Sequence, residues 1–321
     1  MRAMSLTLRP VSAVAAAAVL FGTAGTAQAL GPSDTTPLGV GAVRISVGVM
    51  VLWLATMTRR SGPALEHVSA AVRSNWRRMV IGGVGVATYT PAFFAAVDRV
   101  GVAVGTVVAI GSGPFFAGAL EWVWHGRRPQ PLWLIGSIAT VSGAALLVLA
   151  PSGSLIIRFD GVGVMLALAS GAGYAVYSVT SKATMDAGIE STIALAVPFT
   201  IGAVLVAAAA AGEPLGWVAT GAGLAMTLHL GVAATGVAYL LFGYGLQRLS
   251  SATTVTLVLA EPLTATLLAT LVLSETLSPS GWVGVASVGV GLLIVGRAAE
   301  SSPSIVRAIS GSRPTQSSAD L

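Results

Sequence analysis

Three ionisable side chains stand deep inside long uncharged stretches of this sequence: Arg44, His229 and Glu261. In an apolar medium such a group is costly unless it faces a polar interior, so position alone makes each a candidate for function. Glu261 is the most suggestive, because it directly precedes Pro262. A proline has no backbone N–H, so it frees a carbonyl one turn earlier and loosens the chain beside the carboxyl group. A carboxylate there can hold an ammonium group or pass a proton; the simpler role is one bond to a neighbouring helix. Arg44 offers a planar guanidinium suited to a carboxylate, or it can reach outward to water. His229 can relay protons or bond a ligand, and one interhelical hydrogen bond is the simpler reading.

Neutral polar groups supply the rest. Thr23, Thr26 and Gln28 fall in one apolar stretch, Tyr89 and Thr90 in another, and Tyr174, Tyr177 and Ser178 in a third. Such groups suit the lining of a central cavity, although Ser and Thr in apolar helices commonly bond the preceding turn of their own backbone. No metal and no cofactor is expected. Cysteine is absent, and His67, His125 and His229 are far apart with no HExxH arrangement. Lys182, the single lysine, sits in Val-Thr-Ser-Lys-Ala without the glycines of a phosphate-binding loop. No pair of aspartates falls well inside apolar stretches, as an intramembrane aspartyl protease would require. An enzyme is therefore not expected.

The elements that must position these groups follow from composition. The 321 residues are 55% hydrophobic and 9% charged, with a mean hydropathy of +0.85. A soluble exterior cannot be built from so few charges. The charges cluster between uncharged stretches of about 20 residues, the length that crosses a bilayer as a helix. The expected fold class is all-α, a polytopic membrane helical bundle. A porin-type barrel is not expected, because the stretches are apolar all round instead of alternating. Ten transmembrane helices are expected near 10–30, 38–57, 77–97, 101–123, 131–150, 161–181, 191–211, 220–245, 251–273 and 280–296. Trp53, Trp122, Trp124, Trp133, Trp217 and Trp282 fall near span ends, where interfacial anchors belong.

With the N terminus inside, 14 of the 17 Lys and Arg residues lie on the cytoplasmic side, and only Arg99 and Arg158 lie outside. The positive-inside bias thus puts both termini in the cytoplasm. The net charge of +5 reflects this bias and not nucleic-acid binding, because the arginines mark span ends and do not line one polar face. The expected partners are the lipid bilayer, a small-molecule substrate and, as a candidate coupling ion, the proton; the sequence leaves the oligomeric state open. Residues 1–29 also have the form of a signal peptide ending in Ala27-Gln28-Ala29. The uncharged run 10–33 is longer than a signal-peptide core, and the repeat described next needs a helix there, so a retained first helix is expected. Residues 298–321 read as a Ser-rich disordered tail.

Sliding the chain by 148 residues pairs Gly83 with Gly231, Phe94 with Phe242, Thr106 with Thr254, Pro114 with Pro262, Leu120 with Leu268, Pro131 with Pro279, Gly136 with Gly284 and Gly143 with Gly291. The matched prolines fall at equivalent depths, inside spans four and nine and at the start of spans five and ten. A five-helix unit is thereby repeated, and an odd number of crossings inverts the second copy. The expected organisation is two inverted five-helix repeats, residues 1–150 and 151–297. Inverted repeats with broken helices meeting near the midplane point to a secondary carrier.

Two stretches, 91–149 and 237–296, resemble the EamA-type carriers of the drug/metabolite transporter superfamily. Each is similar to that family's third helix end, short turn, proline-bearing fourth helix, charged turn and glycine-rich fifth helix. Ser274-Glu275 matches the family's usual Gly-Glu turn, whereas the first copy has Gly126-Arg127 there. The resemblance implies a ten-helix carrier in a bacterial plasma (inner) membrane. It would export or exchange small metabolites, such as amino acids, organic acids or drug-like compounds, by alternating access. The alternative is a membrane channel or scaffold. The candidate substrate-binding or coupling residues are Glu261, His229, Arg44, Tyr89, Tyr174, Tyr177, Thr23 and Gln28.

Overall fold

The computed structural model describes residues 2–58, 64–149, 160–272 and 277–300. Ten helices fill them: α1 (Arg2–Ala29), α2 (Pro37–Thr58), α3 (Ala64–Val100), α4 (Val102–His125), α5 (Pro131–Leu149), α6 (Gly161–Asp186), α7 (Ser191–Ala209), α8 (Gly221–Leu246), α9 (Ser251–Val272) and α10 (Pro279–Glu300). Each is long and apolar enough to span a membrane, and among the described residues there is no strand. Large apolar side chains such as Met50, Leu54, Ile135, Leu271 and Leu293 stand outward on the bundle. Water would penalise such a surface, and acyl chains do not.

Three of the helices depart from plain spans. α3 starts well before its apolar part, since a helix leaving the bilayer needs no further apolarity. Its charged portion carries Arg73, Arg77 and Arg78 and is kinked at Asn75 (φ −128°, ψ 17°). α8 contains a π-helical segment, His229–Val237, in which the Thr235 hydroxyl donates to the Leu230 carbonyl at 2.7 Å. α9 consists of two segments, Ser251–Leu257 and Ala260–Val272. Its interruption falls where Pro262 withholds an N–H: the Val258 carbonyl instead accepts from Glu261 N at 2.8 Å, a tighter turn than the α-helix uses. Pro114, the repeat mate of Pro262, lies inside an α4 that stays continuous.

α5 and α10 cross with their backbones in contact. A Cβ at Gly136 would lie 3.0 Å from the Gly291 carbonyl oxygen, and one at Gly291 2.8 Å from that of Gly136. Gly143 and Gly284 meet in the same reciprocal way, each within 2.9 Å of the other's carbonyl. Small residues permit this approach, which brings Cα–H groups onto carbonyl oxygens. α1 is an integral member of the bundle: Val14, Ala17 and Ala18 are buried, and the helix packs against α8 and α9.

Two expectations about individual residues change. Lys182 is not in a loop but in the last turns of α6, buried, with Nζ donating to Asp186 Oδ1 at 2.7 Å and to the Gln247 carbonyl at 3.1 Å. The tryptophans divide into two groups. Trp122, Trp124 and Trp282 are exposed as anchors should be, whereas Trp133 and Trp217 are buried. Trp133 donates to the Thr256 hydroxyl and Trp53 to that of Thr200, so these rings are held by protein hydroxyls and not by headgroups. Ser274, Glu275 and residues 301–321 of the expected tail lie outside the described residues.

Candidate functional site

The site is assembled from five helices. On α2, Gly41, Arg44 and Gly48 recur at the spacing of one helix face. Gly41 lies against Thr90 and Phe94 of α3, and Gly48 against Thr235 of α8. Arg44, between them, therefore faces the seam of α3 and α8. It is the charge that acts on Glu261 across the interior, although no direct ion pair joins the two among the described residues. Glu261 occupies the first turn of the second α9 segment, where a carboxylate is favoured by the amide dipoles of a starting helix. Its backbone carbonyl is covered by α1: a Cβ at Gly22 would sit 2.7 Å from Glu261 O and 2.6 Å from Thr264 Cβ. No larger side chain fits at position 22 without parting α1 from α9.

Glu261 in turn acts electrostatically on Tyr174 of α6. Tyr174 stands edge-on to Tyr89 of α3, ring centroids 5.9 Å apart, and next to Tyr177 at 5.8 Å. Tyr177 meets Tyr239 of α8 at 6.1 Å, and Tyr239 packs on Phe199 at 4.3 Å and Phe21 at 5.0 Å. The result is an aromatic wall with one cation and one carboxylate beside it. Two of its phenols, Tyr174 and Tyr177, are buried with no hydrogen-bond partner among the described residues. A buried hydroxyl without a partner costs about 1–3 kcal/mol, so these two are donors in want of an acceptor.

The remaining candidates lie elsewhere. His229 and Thr23 bond each other at 2.8 Å across the α1–α8 seam. The Thr23 hydroxyl proton is given to the Leu20 carbonyl at 2.6 Å, so His229 Nε2 is the donor in that pair. Gln28 is exposed at the end of α1 and donates to Ala24 O of its own helix at 3.5 Å. Among the described residues no group of His, Asp or Glu is placed to hold a metal ion.

Two residues escaped the sequence reading. Tyr239 has the same signal as the three tyrosines that were singled out, a phenol inside an apolar span. Glu121 carries less signal, because it sits four residues from the end of α4 among tryptophans. It is nonetheless buried, and its carboxylate reaches across the bundle to the start of α9: Oε1 accepts from Ser251 N at 2.7 Å and Oε2 from Ala252 N at 3.4 Å. The same end of the bundle holds the Lys182–Asp186 pair and Arg127, 3.5 Å from Asp186 Oδ2. At the opposite end, Arg99 of α3 pairs with Asp160 at 3.1 Å while Asp160 Oδ1 accepts from Val162 N to cap α6. The Arg99 guanidinium holds the Asp160 carboxyl below its ordinary range.

A bundle of ten apolar helices around a half-buried cation, a carboxylate and unpartnered phenols defines a multi-pass membrane protein of the transporter class. The family comparison makes this specific: the EamA-like transporter family model matches twice, over residues 8–149 and 161–297. The chain belongs to the EamA-like transporter family. It is 40% identical over 282 residues to the uncharacterized transporter YwfM of Bacillus subtilis (strain 168), covering 88% of this chain and 92% of that protein. A solved crystal structure superposes with a TM-score of 0.76, covering 90% of this chain and 97% of that one. At 21% identity that likeness concerns the fold alone.

Proposed function

We propose that this transporter is a secondary carrier, built as two inverted five-helix repeats (residues 1–150 and 151–297) that expose a shared central site alternately to each side of a bacterial plasma membrane. The observation that carries this reading is the convergence of Arg44 and Tyr89 from the first half with Glu261, Tyr174, Tyr177 and Tyr239 from the second. Contributions from both halves let relative movement of the halves open the site to either face. The crosswise contacts of Gly136 with Gly291 and Gly143 with Gly284 support the two-fold relation, since each glycine meets the repeat mate of the other's register.

The chemistry of the site suits a small metabolite bearing a carboxylate for Arg44 or a cationic nitrogen for Glu261, with the aromatic wall against its apolar part. The unpartnered phenols of Tyr174 and Tyr177 would donate to the same ligand. Glu261 also serves as the proton-coupling group, while His229 and Thr23 bond α1 to α8. Both termini lie in the cytoplasm, and the direction is export. Comparative metabolite profiling of cells lacking and overproducing the protein selects the compound. The test is then its uptake into proteoliposomes across a pH gradient. Glu261→Gln should leave folded protein whose transport no longer depends on pH; an unchanged pH profile removes Glu261 from that role.

A further inference from the structure

The two ends of α9 are in different states. Residues 251–259 are buried throughout, whereas the second segment is partly open along most of its length. α4 packs on the Ser251–Leu257 segment and diverges from the Ala260–Val272 segment. A cleft lined by Thr106, Ile110, Val141 and Pro262 lies where they part. α4 and α9 are thus joined at the Ser251 end and apart at the Asp160 end.

Glu121 is the polar contact that ties α4 to α9 at the Ser251 end. Its 5% exposure means that its bonds are made out of water, where a charge-assisted bond to a backbone N–H is strong. The repeat register shows what the other half lacks. Glu121 corresponds to Ala269, and the start of α9 to the start of α4, whose cap Gly101 makes no side-chain hydrogen bond. Among the described residues, no carboxylate bonds α4 to α9 at the Asp160 end.

We propose that Glu121 is a one-sided latch: its carboxylate, seated on the Ser251 and Ala252 amides, makes closure at the Ser251 end the resting state of the transport cycle. The proposal rests on the alternating-access reading above. Opening that end separates α4 from α9, and both the carboxylate and the two amides must then be taken up by water. Ser181, at the same end of α6, has a buried hydroxyl with no partner among the described residues and would be wetted in the same movement.

The absence of cysteine in the chain makes the latch directly measurable. Single-cysteine reporters, Ser181→Cys at the closed end and Thr106→Cys in the cleft, are treated with a membrane-impermeant maleimide from each face of vesicles, with and without Glu121→Gln. The isosteric change is expected to raise labelling at position 181 at least about tenfold and to lower it at position 106. Unchanged rates at both positions, or a rise at both, would make Glu121 a packing cap and overturn the latch. A rise at 181 with no change at 106 would mean that the ends open independently, which contradicts alternating access itself. Ala269→Glu provides a second route that leaves Glu121 in place. It supplies the missing carboxylate and should move both rates in the same directions as Glu121→Gln, and rates that do not move contradict the one-sidedness.

Discussion

The Ser251 end and the Asp160 end of the bundle are both polar, yet they are held by different physics. At the Ser251 end a carboxylate, a lysine and a tryptophan are buried and bonded across helices: Glu121 to the α9 amides, Lys182 to the Gln247 carbonyl, Trp133 to Thr256. At the Asp160 end, among the described residues, the joining pair is Arg99 with Asp160, and it is exposed. Buried bonds to backbone groups resist water, whereas an exposed ion pair exchanges with it at little cost. A bundle held in this way has one firm end and one yielding end.

Substitutions should rank accordingly. Glu121→Ala leaves the Ser251 and Ala252 amides buried without an acceptor and should cost about 2–3 kcal/mol, visible as the largest drop in thermal midpoint in detergent. Lys182→Met keeps the volume but removes two bonds at the same end, with an expected loss of about 1–2 kcal/mol by the same assay. Trp133→Phe forfeits one N–H bond to Thr256 and should cost about 1 kcal/mol. Arg99→Ala should give the smallest drop in midpoint at neutral pH, because the pair it removes is exposed. Its trace is in the pH profile. The Asp160 carboxyl is held low by Arg99, so the contact persists above the ordinary carboxylate pKa and is lost only as pH falls through the lowered value. The gap between Arg99→Ala and the parent protein should therefore close as pH falls through that lowered value. A ranking in which Arg99→Ala outweighs Glu121→Ala would erase the difference between the ends.

Much of this was legible in the sequence, for a plain reason: ten apolar runs of bilayer length require ten helices wherever their side chains end up. The break in α9 was legible through Pro262, and the reciprocal α5–α10 glycines through the repeat. What resisted reading depends on partners distant in sequence. The carboxylate of Glu121 and the amide it holds are 130 residues apart, and near a span end a glutamate looks like any interfacial charge. Lys182 falls one residue past the expected span 161–181, and the Gln247 carbonyl it bonds, just beyond the end of α8, is 65 residues away. The π-helical segment of α8 has no proline to announce it. The meeting of Arg44 with Glu261 and the tyrosines rests on which faces of α2, α6 and α9 turn inward, and apolar helices of this kind carry little amphipathic pattern to show it.

Counterflow tests the central claim most directly. Proteoliposomes preloaded with the metabolite that profiling selects are diluted into a trace of the same labelled compound. A carrier with a central site shared by both halves predicts transient, saturable accumulation of label, abolished by Arg44→Ala or Glu261→Gln in protein that remains folded. Label that enters in proportion to its concentration, with no transient accumulation and no sensitivity to these two residues, would contradict it.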